Sequence, residues 1–350
     1  MDAQPGIASV SSEADRTALR PLIDPFGRRI TYLRLSVTDR CDLRCRYCMP
    51  ARPHFLPKSE VLSLEELVSL ADVFIAHGVT KIRLTGGEPL VRKGIAWLIT
   101  ALGKRHAAGL RELTITTNGQ QLTRFLPVLT QAGMRRINIS LDTLDPDGYA
   151  RITRGGALAP VLEGIRAARD AGLAVKLNTV VMRGVNEGEI DKLITFAGTQ
   201  DCDLTLIEPM PLGSVEDGPR SLRFTPLVAL AKELARRWTL TPLPGHSTGG
   251  PARYVRVEET GRLLGFITPL SHNFCAGCNR VRVSATGQLY LCLGAGDGFD
   301  LKRVLRREGP EGLSALLDRL IRAKPARHAF EEDMDRATPM LARHMHVTGG

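Results

Sequence analysis

The chain has 350 residues, 43% hydrophobic and 24% charged, a composition typical of a globular protein with one large domain or a barrel and a smaller appendage. No apolar run approaches a membrane span, no signal peptide is recognisable, and seven cysteines cannot all form disulfides, so we expect a cytoplasmic protein with no membrane partner. The net charge of +10 indicates an anionic partner, but the aromatic content of 5% counts against DNA or RNA.

Residues 1–27 show no periodicity, and we predict a flexible N-terminal lead. Strands and helices then alternate. The predicted strands cover 30–37, 79–85, 112–117, 135–141, 174–181 and 203–208. The first predicted helix begins with a capping box at Ser63 and Glu66 and ends at Gly78. Further helices are predicted at 93–109, 120–132, 158–171 and 187–199. Six βα units predict an α/β fold, a partial (β/α)6 TIM-like barrel, although the pattern alone leaves a flat doubly wound sheet open.

The regular alternation stops near residue 240. A Gly/Pro-rich stretch follows, and short strand-like runs with three cysteines occupy 252–300 before a helical stretch at 300–330. We therefore predict a barrel at 28–240, a smaller C-terminal domain at 241–330 and a tail at 331–350 that ends in two glycines.

A cysteine triplet follows the first predicted strand. Cys41, Cys45 and Cys48 have the spacing C-x3-C-x2-C, which can hold three irons of a cubane cluster and leave the fourth iron open. A partial zinc site or a chance group of buried thiols is the alternative. With Tyr47 before the last cysteine, the segment resembles the signature of radical S-adenosylmethionine (SAM) enzymes.

Other motifs also follow strands, and the carboxyl ends of parallel strands are where such folds bind ligands. Gly86, Gly87 and Glu88 follow the second strand, where bare glycine backbone can approach a ligand closely. The radical SAM resemblance implies that Gly87, Ser140 and Met210 contact SAM and that Tyr47 lies over its adenine. Prolines on both sides of Met210 depart from the family pattern.

A second triplet lies in the C-terminal region. Cys275, Cys278 and Cys292 have the spacing C-x2-C-x13-C, which taken alone suits zinc with His272 as the fourth ligand. Arg280 and Arg282 would face one side of a strand here, and two guanidiniums beside a metal site call for an anion. A second open iron–sulfur cluster that binds an anionic substrate explains both features. Cys202 stands apart, and we interpret it as a buried thiol.

Four segments together resemble the GTP 3′,8-cyclase family of molybdenum cofactor biosynthesis, from about residue 28 to the C-terminus. They are 33–41, 81–89, 116–119 and 274–282. The resemblance implies a lyase with SAM and two [4Fe-4S] clusters, the first making a 5′-deoxyadenosyl radical and the second holding the guanine of GTP. The radical takes the C3′ hydrogen, and C3′ then attacks C8. The implied GTP ligands are Arg34, Arg83, Thr116, Lys176, Arg280 and Arg282.

The same resemblance implies that Gly349 and Gly350 reach into the active site. The implied catalytic residues are Cys41, Cys45, Cys48, Arg280, Arg282, Gly349 and Gly350. It also implies an electron donor such as flavodoxin or ferredoxin, and a downstream cyclic pyranopterin monophosphate synthase. We expect a monomer or a homodimer. The nearest alternative is a radical SAM enzyme that modifies a peptide or protein and carries an auxiliary cluster.

Overall fold

The structure is a computed structural model that describes residues 20–213, 223–296, 298–328, 330, 341 and 343–349. Its strands are β1 (Tyr32–Ser36), β2 (Lys81–Thr85), β3 (Glu112–Thr117), β4 (Arg136–Ser140), β5 (Ala174–Val180), β6 (Asp203–Ile207), β7 (Leu240–Pro242), β8 (Arg253–Val257), β9 (Arg262–Ile267), β10 (Arg280–Val283), β11 (Gln288–Tyr290) and β12 (Phe299–Asp300). Its helices are α1 (Leu64–Ala76), α2 (Ile95–Gly103), α3 (Leu122–Gln131), α4 (Pro146–Thr153), α5 (Leu158–Asp170), α6 (Ile190–Thr199), α7 (Leu227–Leu234), α8 (Leu301–Ile321) and α9 (Met345–Thr348).

The strands form one sheet in the order β12-β11-β10-β1-β2-β3-β4-β5-β6-β9-β8-β7. The eight strands from β10 to β9 in this order are mutually parallel, and an antiparallel extension follows at each edge. Side chains of β10 and of the opposite strand β9 line the same cavity as those of β1 to β6. A flat sheet would hold these two strands far apart, so the sheet curves into the predicted partial barrel.

The elements form where the hydrophobic pattern predicts them. All six predicted barrel strands are present within two residues of their expected ends. Ser63 and Glu66 make the predicted reciprocal capping box, and Leu67, Ala71 and Phe74 bury the inner face of α1. None of the helices in the described part of the chain has the length and apolar character needed to traverse a bilayer.

Four features differ from the sequence prediction. Of the predicted flexible lead at 1–27, residues 1–19 lie outside the described residues, whereas 20–27 are held in place: Leu22 is fully buried, and Ile23 forms a β-bridge with Arg29. The short helices α4 and α7 were not predicted, because each has only eight residues and neither fits the regular strand–helix alternation. The predicted helical stretch at 300–330 is helical only to Ile321, and it breaks at Gly309, whose φ is +69°. The C-terminal strands also continue the barrel sheet: β10 pairs with β1 and β9 pairs with β6.

Candidate active site

One cavity of about 300 Å³ lies inside the curved sheet. Both cysteine triplets line it, and so do most of the other residues singled out from the sequence. Those residues are Arg34, Tyr47, Gly87, Thr116, Ser140, Lys176, Met210, Arg280, Arg282 and Arg83. A volume of this size falls in the range of small-molecule sites. The fold therefore brings motifs from the whole chain to a single pocket.

The first triplet lies on the loop after β1, at the carboxyl end of the barrel strands. The Leu43 N–H donates to Cys41 Sγ at 3.3 Å, and Asn118 Nδ2 lies 3.8 Å from the same sulfur. Burial raises the pKa of Cys41 and of Cys45 well above the usual thiol range. The thiols therefore stay protonated until a cation compensates for the buried negative charge.

The glycines after β2 have a structural role beside this loop. The Gly87 N–H donates to the Thr38 carbonyl at 2.9 Å, and the Glu88 N–H donates to the Arg40 carbonyl at 2.8 Å. A Cβ on Gly86 would lie 2.6 Å from Thr38 O. The missing side chain at Gly86 therefore accommodates the cysteine loop, and the contact of this backbone with a ligand stays a prediction.

Glu88 connects this segment to the end of β3. Its buried carboxylate accepts hydrogen bonds from Thr117 Oγ1 at 2.8 Å and from the Asn118 N–H at 2.6 Å. Burial raises the pKa of Glu88 to about 7. Glu88 thus joins the loops after β2 and β3 through its carboxylate and the loop after β1 through its backbone N–H.

Tyr47 and Met210 both line the cavity. The Tyr47 hydroxyl donates to Asp142 Oδ2 at 2.8 Å, and burial raises the pKa of Asp142 to about 6. Met210 is half-buried and lines the cavity despite the prolines beside it. Its loop is held by Glu208, whose buried carboxylate accepts from the N–H groups of Leu227 and Leu270 at 3.1 and 3.0 Å.

The second triplet lies at the opposite end of the barrel. Cys275 and Cys278 come just before β10, which runs parallel to β1, and β11 returns antiparallel to bring Cys292 back to the same end. The five residues of β1 span about 16 Å, so the two triplets are separated by roughly the length of a strand. Burial by itself raises the pKa of Cys278, but the charges of Arg280 and Lys324 outweigh it and lower this pKa.

The chemistry of both triplets fits an iron–sulfur cluster. None of the six cysteines forms a disulfide, and all six line the cavity. Soft thiolates are the ligands that hold such clusters, and hydrogen bonds to sulfur, as at Cys41, tune them. Within the described ranges, no three His, Cys, Asp or Glu side chains converge closely enough to hold a single metal ion. Zinc with His272 as the fourth ligand therefore stays the alternative for the second triplet, and iron and zinc analysis distinguishes the two.

Two rows of basic residues cross the sheet between the triplets. In register across β10, β1 and β2 lie Arg280, Tyr32 and Lys81, and two residues further along lie Arg282, Arg34 and Arg83. Like charges directly opposite each other on a sheet repel. Burial, the largest cause, and the neighbouring guanidiniums lower the pKa of Arg34 and of Arg282. A ligand with several negative charges would neutralise this repulsion and accept hydrogen bonds from the guanidinium groups.

The loop at 243–252 approaches these basic residues from the amino end of the strands. The Thr248 carbonyl accepts from Lys81 Nζ and from Arg136 Nη2, both at 2.7 Å. Lys176 Nζ donates to Thr248 Oγ1 at 3.2 Å and to the Tyr254 hydroxyl. Burial and the neighbouring Arg83 lower the pKa of Lys176 to about 7.

The C-terminal tail enters the cavity rim at the carboxyl end of β1 and β2. The Gly349 carbonyl accepts a hydrogen bond from Arg282. Gly349 has a φ of +78°, and a Cβ there would lie 3.2 Å from the Cβ atoms of Ser36 and Thr85. Both constraints select glycine. Gly350 lies outside the described residues.

Tyr32 and Lys81 line the cavity but were not singled out from the sequence. Alternate residues of a strand share one face, so Tyr32 faces the same side as Arg34, and Lys81 the same side as Arg83. That periodicity would have identified both. Cys202, by contrast, is fully buried away from the cavity, as predicted.

Comparisons with known proteins find matches to both the barrel region and the C-terminal region of the chain. The Radical SAM superfamily model matches residues 35–197, and the Molybdenum Cofactor Synthesis C model matches residues 202–330. A GTP 3′,8-cyclase from Erythrobacter litoralis is 58% identical over 95% of this chain and all of its own length. One from Rhizobium etli (strain CIAT 652) is 54% identical over 94% of each chain. The crystal structure of Streptococcus suis SuiB bound to S-adenosylmethionine shares the fold, with a TM-score of 0.59 at 16% identity, over 92% of this chain and 76% of that one.

Proposed function

Because the chain belongs to the GTP 3′,8-cyclase family of the radical SAM superfamily, we propose in detail how its cavity serves that reaction. The enzyme is a radical SAM lyase that converts GTP to (8S)-3′,8-cyclo-7,8-dihydroguanosine 5′-triphosphate, the first step of molybdenum cofactor biosynthesis. The relatives' names give no support to the peptide-modifying alternative.

The first triplet holds the catalytic [4Fe-4S] cluster through Cys41, Cys45 and Cys48. When bound, the cluster and SAM supply the 5′-deoxyadenosyl radical that takes hydrogen from C3′ of the ribose. The surrounding loops position SAM: Gly87, Ser140 and Met210 border the cavity beside the triplet, and Tyr47 is fixed by Asp142. The curved sheet keeps water and other hydrogen donors away from the reacting atoms.

The second triplet holds a second cluster at the other end of the cavity, where it takes the guanine of GTP. The two basic rows lie between the triplets, and this is the observation that carries the proposal. Arg34, Arg83, Arg280 and Arg282 bind the triphosphate through charge-assisted hydrogen bonds. Thr116 Oγ1 already accepts from Arg83 Nη1 at 3.1 Å and fixes that guanidinium, while Lys176 adds an amine.

The direct test is to reconstitute the protein anaerobically, reduce it and add SAM with and without GTP. We expect about eight irons per chain, the content of two cubanes, and release of 5′-deoxyadenosine that depends on GTP. The cyclised nucleotide should appear in equal amount. Four irons with one zinc would contradict the second cluster, and release that ignores GTP would contradict the substrate.

Substitutions separate the substrate side from the SAM side. Arg280→Ala and Arg282→Ala should each weaken GTP binding by at least tenfold, because each removes a charged donor worth about 1.5–3 kcal/mol. Uncoupled SAM cleavage should persist in both variants. Arg306→Ala is the matched control, since Arg306 pairs with Glu66 on the outer surface. Loss of SAM cleavage with normal GTP binding would contradict this division of roles.

The remaining expectations extend the proposal beyond the chain. A flavodoxin or ferredoxin supplies the electron, and a cyclic pyranopterin monophosphate synthase consumes the product. Cluster thiolates require a reducing compartment, which supports the cytoplasm. We propose that residue 240 marks the end of the regular βα alternation within one sheet rather than an independent folding unit, and that the protein assembles as a monomer or a homodimer.

A further inference from the structure

Tyr32 occupies the centre of the first basic row. It is 2% exposed, and the sheet register places Arg280 on one side of it and Lys81 on the other. Arg34 lies two residues along the same strand and therefore faces the same side. A neutral phenol is an unexpected residue here, because every other cavity-facing position in the two rows carries a cation.

The hydroxyl oxygen of Tyr32 acts as an acceptor for these cations. Arg83 Nε donates to it at 2.7 Å, and Arg34 Nη1 approaches it at 3.5 Å. Lys81 Nζ lies 4.8 Å from the centre of the ring. Two guanidiniums and an ammonium thus converge on one phenol.

The charges around Tyr32 come from three strands. Arg34 lies on β1, Lys81 and Arg83 on β2, and Arg280 and Arg282 on β10. Glu112 on β3, in register with Lys81, forms ion pairs with Lys81 at 3.2 Å and with Arg136 at 2.6 Å. Burial alone raises the pKa of a phenol, but the charges of Arg83, Arg34, Lys81 and Arg280 outweigh it and lower the pKa of Tyr32 to about 7.

We propose that Tyr32 is a positioning residue of the anion site: its phenolate serves as a resident counterion that holds Arg34 and Arg83 until a polyphosphate replaces it. On binding, the phosphate oxygens take over the guanidinium hydrogen bonds, and the phenolate takes a proton from solvent. The inference deepens the proposed GTP site and rests on it for the identity of the anion.

Because anion binding is linked to proton binding at Tyr32, the exchange predicts the direction in which anion affinity changes with pH. In the free protein Tyr32 loses its proton near pH 7, whereas with an anion bound its pKa returns toward the ordinary value of about 10. Binding above pH 7 therefore takes up a proton, and affinity falls as the pH rises. Lys81 and Lys176, with pKa values of about 8 and about 7, change affinity in the same direction. The contribution of Tyr32 to the pH dependence of affinity is therefore obtained by comparing the Tyr32→Phe variant with the parent protein.

Calorimetry with inorganic tripolyphosphate on the cluster-loaded protein, in buffers of different ionisation enthalpy, measures that difference without SAM or turnover. At pH 8, Tyr32→Phe should take up about one proton fewer than the parent. Between pH 7 and pH 8.5, the affinity of Tyr32→Phe for tripolyphosphate should fall roughly tenfold less than that of the parent. At pH 8.5 the variant should therefore bind tripolyphosphate about tenfold more tightly than the parent does. Tyr149→Phe is the matched control, because Tyr149 is equally buried but contacts Gln120 outside the basic rows.

A second measurement needs no substitution. With 13C-labelled tyrosine, one of the five tyrosine ring signals should titrate near pH 7 in the free protein and cease to do so with tripolyphosphate. Unchanged proton uptake, weaker binding by Tyr32→Phe at pH 8.5, or no tyrosine titrating below pH 9 would each overturn the inference. Because none of these readouts requires GTP or turnover, failure of the cyclase assay would be distinguishable from failure here.

Discussion

Lys176 shows how a single residue can serve binding at the expense of stability. Its amine is half-buried among Arg83, Arg136 and Lys81, and burial lowers its pKa to about 7. A buried cation among cations is unfavourable until an anion arrives. We therefore expect charge repulsion at Lys176 to destabilise the unliganded enzyme, and we expect bound GTP to compensate for this repulsion.

Lys176→Met should stabilise the unliganded protein by about 1 kcal/mol while weakening GTP binding at least tenfold. Thr248 Oγ1 and the Tyr254 hydroxyl, which lie 2.9 Å apart, remain hydrogen-bonded to each other in the variant. The pKa of Lys176 is depressed in the folded state, so its unfavourable effect is complete below about pH 7 and declines as the pH rises toward 10.5. In thermal unfolding, the stabilisation of Lys176→Met over the parent should therefore be largest below about pH 7 and should decrease as the pH rises toward 10.5.

Lys192→Met is the control, because Lys192 is exposed on α6. A loss of stability in Lys176→Met below pH 7 would show that its hydrogen bonds outweigh the repulsion.

At the scale of elements, the short C-terminal helix α9 carries Gly349 to the basic rows. Arg343 holds the start of this segment: it donates to the carbonyls of Leu293 and Gly296 at 2.8 and 2.7 Å, and its guanidinium lies 4.5 Å from the Tyr290 ring. These contacts lie beside the second cysteine triplet. The tail thus joins the loop after Cys292 to the ends of β1 and β2.

Gly349→Ala should release the tail from this position, since the added Cβ meets Thr85 and the backbone needs a positive φ. We expect cyclised product to fall at least tenfold while iron content and SAM binding stay unchanged. Product analysis and iron determination check this. Gly188→Ala is a suitable control because no atom lies within 4 Å of its added Cβ. Normal product formation by Gly349→Ala would exclude a catalytic role for this position.

At the scale of the whole molecule, the C-terminal region completes the barrel. β10 and β9 pair with the outer barrel strands β1 and β6, and Arg28 reaches across to donate to the Cys275 carbonyl at 2.8 Å. Without these partners β1 and β6 would become open edges, which favour aggregation.

A fragment of residues 28–240 tests the predicted domain boundary. We expect it to aggregate or to unfold well below the temperature of the full chain, because two strand ladders and the second cysteine loop are lost. Thermal unfolding and light scattering measure this, with a chain lacking only residues 1–19 as the control. A fragment that is monomeric and as stable as the full chain would support an independent barrel domain.

The sequence by itself determined the local chemistry of this protein. Alternation of apolar runs identified the six barrel strands, cysteine spacing identified both triplets, and alternation within β10 placed Arg280 and Arg282 on one face, because these signals depend only on near neighbours. Only the tertiary structure decided that β10 lies beside β1, which aligns the basic residues around Tyr32 and separates the triplets by a strand's length. Pairing between residues some 250 positions apart leaves no periodic trace in a single sequence, so neither the rows nor the exchange at Tyr32 could be predicted from it.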